Sequence, residues 1–235
     1  MGRVFEKRKY KMFARYDKMA KGFTRMGKEI AIAIKLGSAD PAGNARLRVA
    51  IQNAKGLNMP KDRIDAAIKR ASSKSEANLE EIVYEGKGPY GIGILVECAT
   101  DNPTRTVANV RMNFNRHGGE LGKTGSLDYL FERKGVFRFK KDNLNVEDLE
   151  LELIDFGAEE IETDEDEIVV TTAFTDFGSM QKALEAKHIN IISSELERIP
   201  TSTVELTDEQ VEEVMILVEK LEEDDDIQKV YHNMH

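Results

Sequence analysis

The hydrophobic period of the chain changes once, near SSKSEAN (residues 72 to 78), and the sign of its charge changes at the same place. Before that stretch, apolar residues recur at steps of three and four, the spacing of helices lying on a core. After it they alternate or run in short blocks bounded by glycine, as strands do. Residues 1–75 carry 19 Lys/Arg against 6 Asp/Glu, a balance of +13. Residues 76–235 carry 15 against 37, a balance of −22. The formal net charge of −9 averages two opposed regions and describes neither. The organisation this implies is a basic helical domain over 1–75, a small polar linker, and an acidic part in which strands and helices mix.

In the basic part, Met19, Phe23, Met26, Ile30 and Ile34 gather on one face of a helix running from Asp17 to Leu36. Lys18, Lys21, Arg25, Lys28 and Lys35 fall on the opposite face. Asp40-Pro41 is expected to cap and open a second helix, with Leu47, Ala50, Ile51 and Ala54 inward and Gly56 at its end. Pro60 opens a third, in NMPKDRIDAAIKRA, whose stripe is Ile64, Ala67, Ile68 and Ala71. Lys61, Arg63, Lys69 and Arg70 are its cations. Solvated faces ordinarily mix both signs, because like charges at helical spacing repel. A sustained positive excess inside an acidic chain therefore points to a polyanionic partner, with nucleic acid ahead of an acidic protein surface.

The acidic part reads as strands EEIVYEG (80–86) and IGILVEC (92–98), then a helix capped at Asn102-Pro103. SLDYLFE (126–132) and GVFRFK (135–140) read as strands, followed by a helix ending at Gly157, a hairpin across DED, a helix from Thr175 and a strand to about Arg198. TSTVEL is a further strand, Thr207 with Gln210 makes a capping box, and IQKVYHN closes as a strand. Two copies of strand-helix-strand-strand-helix-strand can be drawn from this order. The inner copy occupies residues 133–199 and is inserted in the outer, which uses 76–132 and 200–235. The expected class is α+β: an N-terminal helical bundle and two ferredoxin-like split modules, one nested in the other.

Glycine-rich stretches offer little chemistry. GKGPYG (86–91) has the spacing of a dinucleotide fingerprint, but a strand follows where a helix N-terminus is needed, so its glycines read as turn residues. HGGELGKTGS (117–126) ends like a phosphate-binding loop, yet its first glycine position falls on His117 and it leads into a strand. Nucleotide hydrolysis is rejected there. Arg116, Lys123 and Thr124 remain candidate secondary phosphate contacts, with a plain connecting loop the equal alternative. The four histidines lack metal-ligand spacing, and Cys98, the single cysteine, reads as a buried thiol in a reducing compartment. The longest apolar runs, such as IGILV (92–96), are too short for a bilayer, and the N-terminus has no apolar signal core. The expectation is a cytoplasmic, non-enzymatic protein with no cofactor, no metal, no small-molecule substrate and no membrane partner.

ARLRVAIQNAKGLNMPKDRIDAAIKRA, YEGKGPYGIGILVECATDNPTRTVANVR and GGELGKTGSLDYLFERKG together resemble the YebC family, in order and over nearly the whole chain. The usual Gly-His-Ser-Lys-Trp opening of that family is replaced here by MGRVFEKRKYKMFARYDKMAKGF, similar to a second branch. The resemblance implies a helical N-terminal domain and two α/β domains, one inserted in the other. It implies a transcriptional regulator, as bacterial members are described, and places the basic residues Arg46, Arg48, Lys55, Lys61 and Lys69 on nucleic acid. Its mitochondrial members, translational activators of cytochrome oxidase subunit I, supply the alternative of an RNA- or ribosome-associated factor.

Overall fold

The computed structural model describes the backbone of residues 3–73, 78–141, 144–164 and 166–235, and side chains within those ranges from Met19 onward except Asp164. Two compact units follow one another, the first ending at Leu79 and the second running from Glu80 to His235. Residues 74–77 of the expected linker lie outside the described residues.

The first unit is made of α1 (Arg3–Leu36), α2 (Ala45–Gly56) and α3 (Lys61–Ala71). Its core takes Ile30, Ile34, Leu47, Ala50, Ala54, Ile64 and Ala67 from the expected stripes, joined by Ala33 and by Met59 from the turn before α3. Each large aliphatic side chain buried there contributes about 1.5–3 kcal/mol. The α1 helix begins well before Asp17, and the second cap is not where Asp40-Pro41 suggested. Asp40 Oδ1 accepts the Ala42 N–H at 3.0 Å and folds residues 41–43 into a turn instead. The cap is Asn44, extended at φ −127°, whose Oδ1 accepts the Leu47 N–H at 3.1 Å. Its Nδ2 donates to Ala33 O at 2.7 Å and Ser38 O at 2.8 Å, so one buried amide joins the end of α1 to the start of α2.

The second unit contains two four-stranded antiparallel sheets. The first has the order β3 (Glu120–Leu121), β1 (Glu80–Lys87), β2 (Gly93–Thr100), β8 (Ile227–His232). Helices α4 (Pro103–Arg116) and α7 (Asp208–Glu222) cover one face, packing Val110, Phe114, Val214 and Leu217 on Ile94, Val96 and Cys98. The other face meets Leu127, Leu130 and Phe131 through Leu95. Burial from both sides explains why IGILV is apolar without alternation. The second sheet has the order β5 (Ala158–Asp164), β6 (Glu167–Ala173), β4 (Phe131–Lys140), β7 (Ile191–Pro200). Its helices α5 (Val146–Ile154) and α6 (Phe177–Ala186) supply Leu149, Leu153, Met180 and Leu184 to a core around Phe137 and Phe139. The protein is thus α+β, helical first and then two helix-backed sheets, with the second sheet inserted in the chain between β3 and α7.

Strand membership differs from the sequence order at two places. SLDYLFE is not a separate strand: Asp128–Leu130 is a short 3-10 turn, and a single strand runs from Phe131 through Lys140 in the second sheet. TSTVEL makes only one bridge, Val204 to Met234. The places in the first sheet are filled by β1 and by the two-residue β3. Thr207 and Gln210 form the expected capping box on α7. Among the described residues, no helix is long and apolar enough to cross a membrane.

Candidate nucleic-acid interface

The periodicity that buries the helix stripes in the first unit leaves its cations outside. Arg48, Lys55, Lys61, Arg63, Lys69 and Arg70 are exposed, whereas Lys21, Arg25, Lys28 and Arg46 are half-buried. The side chain of Lys18 lies outside the described residues. Two of these cations also hold the fold. Arg46 forks onto Glu29 of α1 through Nε at 2.9 Å and Nη2 at 3.3 Å. Arg48 Nη1 donates to Pro41 O at 3.0 Å and Ala42 O at 3.1 Å, closing the turn before α2. A planar fork on a carboxylate is worth more than a point charge, but this pair is partly exposed and screened.

Three of the remaining cations converge. A cleft of about 390 Å³ runs between α1 and α3, with Lys28, Arg63 and Arg70 in its lining. Gly27, Ala31 and Ala66 keep its walls low, and a side chain added at Gly27 would meet nothing within 4 Å. The Arg63 guanidinium lies 5.8 Å from the centroid of the Phe23 ring, which also lines the cleft. Lys55, Lys61 and Lys69 lie on the helices outside this lining. The helical spacing of these cations marks a surface but not the cleft. The signal was the four-residue spacing of Gly27 and Ala31, which reads as ordinary helix until α3 is seen opposite.

Arg116, Lys123 and Thr124 are exposed on the second unit. The loop that carries Lys123 and Thr124 is already organised around an anion, and that anion is the protein's own. Glu85, 3% exposed, accepts the N–H groups of Gly125 and Leu127, each at 2.7 Å, and the Ser126 hydroxyl at 3.3 Å. Those backbone donors serve a carboxylate and are not open to a phosphate. In GKGPYG, Tyr90 at φ 60° and Gly91 at φ 77° form a tight turn between β1 and β2, as the following strand required.

The N-terminal domain description of the TACO1/YebC family matches residues 3–74, and its second-and-third-domain description matches 79–234. The chain belongs to the TACO1/YebC family. A "probable transcriptional regulatory protein" of Cytophaga hutchinsonii is 62% identical over 234 residues, covering 100% of this chain and 98% of that one. Proteins of the same description from Parabacteroides distasonis and Myxococcus xanthus are 55% and 51% identical, covering 100% of this chain and 97% and 100% of theirs. A conserved hypothetical protein of Aquifex aeolicus, solved by crystallography, is similar with a TM-score of 0.82 and 36% identity, over 92% of this chain and 90% of its own. As a member of the TACO1/YebC family, the chain matches both of its domain descriptions, and the three cations that line the cleft fall within the N-terminal one.

Proposed function

We propose that this TACO1/YebC protein is a cytoplasmic, non-enzymatic regulator of gene expression that binds nucleic acid through its helical N-terminal unit. DNA is its first expected ligand, in keeping with the transcriptional names of its Cytophaga and Parabacteroides relatives. The observation that carries the reading is the concentration of positive charge in residues 1–75, 19 Lys/Arg against 6 Asp/Glu, with Lys55, Lys61, Arg63, Lys69 and Arg70 exposed. Lys and Arg on one unit neutralise phosphates and release counterions, which gives affinity without sequence information. Lys21, Arg25 and Lys28 on α1 belong to the proposed contact set, as does Lys18 by sequence alone; Arg46 and Arg48 belong to it too and also hold Glu29 and the turn before α2. The three-domain division, with residues 133–199 as a module inserted in 76–132 and 200–235, is part of this proposal.

A second reading, an RNA- or ribosome-associated translation factor, is favoured by one observation. Three cations of the first unit, Lys28, Arg63 and Arg70, line a concave cleft, and RNA is read largely through unstacked nucleotides and backbone shape. Crosslinking in cells followed by identification of the nucleic acid attached to the intact protein decides between them. Genomic fragments support transcription, ribosomal or messenger RNA moves the assignment to translation, and absence of any attached nucleic acid overturns both.

A further inference from the structure

We infer that the cleft between α1 and α3 holds a single unstacked nucleotide, so that the protein prefers a single strand or an everted base to a continuous duplex. This rests on the nucleic-acid reading above and specifies what the surface binds. Three features of the cleft carry it. Its volume, about 390 Å³, lies at the lower end of the range for small-ligand sites and suits one nucleotide rather than a helix. Gly27, Ala31 and Ala66 in its lining are small and apolar, which leaves room beside them for a planar ring. Its lining also carries Lys28, Arg63 and Arg70, of which Arg63 and Arg70 are exposed, so that positive charge is available to the phosphates flanking an inserted base.

Readers of intact duplex insert a protruding helix or ribbon into a groove. This surface is the reverse of that, a hollow with cations in its lining, and its complement is a group that projects from the polymer. Arg63, set against the Phe23 ring, offers a guanidinium plane on which a base can stack, a mode that tolerates any base.

Filling the cleft without changing any charge tests this. Gly27→Leu adds a side chain where nothing lies within 4 Å of a new Cβ, and it replaces a poor helix former with a good one, so the helix is retained. Affinities of the full-length protein and of Gly27→Leu are measured by fluorescence anisotropy for a labelled single strand and for the duplex of the same sequence. The expected result is a preference of the wild type for the single strand that falls by about tenfold in Gly27→Leu, with duplex affinity and its salt dependence unchanged. Equal binding of both polymers by the wild type, or a preference that survives Gly27→Leu, overturns the cleft assignment while leaving the nucleic-acid reading in place. Failure to bind either polymer overturns the nucleic-acid reading itself. Ala31→Leu, on the same wall, gives an independent second variant.

Discussion

Glu85 shows how much a single residue decides. A buried carboxylate is costly unless its oxygens are fully used, and here two backbone N–H groups and a hydroxyl use them. The same bonds give residues 122–127 their shape and remove that loop's amides from any role in cradling phosphate. Glu85→Ala leaves those donors buried without partners and is expected to cost about 3 kcal/mol in urea unfolding. His232 is the other informative residue. Its Nδ1 is buried with no hydrogen-bond partner among the described residues. Burial pushes its imidazole below the ordinary value, against a smaller opposing pull from Glu222. The unfolded chain then takes up a proton that the folded chain resists. Stability is accordingly full above about pH 6.5, the unfolded value, and is lost as pH falls through the lower folded value. His232→Gln is expected to flatten that part of the stability profile, measured by urea midpoints across the interval.

Among the elements, α2 is set by its cap. Asn44 satisfies a first-turn amide of α2 and two carbonyls near the end of α1, so Asn44→Ala is expected to destabilise the helical unit by about 2 kcal/mol, read from the helical circular dichroism in urea. Sequence pointed to Asp40-Pro41 because proline at a first helical turn is a strong start signal. It could not show that Asp40 would spend its carboxylate on the Ala42 amide and delay the helix. The stripes of α1 to α3 were legible because one buried face imposes a period of 3.6. The inserted sheet was legible because its elements follow one another without interruption. SLDYLFE was not, because its apolar residues suit a strand as well as they suit a turn that packs on the far side of the first sheet. For the interface, cation identity could be read directly from the chain. Their convergence could not, since Lys28 on α1 and Arg70 on α3 share a cleft only once the two helices pack.

On the scale of the whole molecule, the two units divide the charge unequally, and polyanion binding is proposed for the first. Lys55, Lys61 and Lys69 are the cleanest probes, being exposed, on helices and outside the cleft lining. Replacing exposed lysines by glutamine changes stability by about 0.5 kcal/mol or less, so an effect on binding can be assigned to charge. The most direct test follows the affinity of the full-length protein and of the triple variant Lys55→Gln, Lys61→Gln, Lys69→Gln for one oligonucleotide, roughly between 50 and 200 mM salt. The expected result is a linear fall of log affinity with log salt for the wild type, and a slope in the variant shallower by about one for each phosphate contact removed. A wild-type affinity indifferent to salt, or a variant that keeps both the affinity and the slope of the parent, would contradict it.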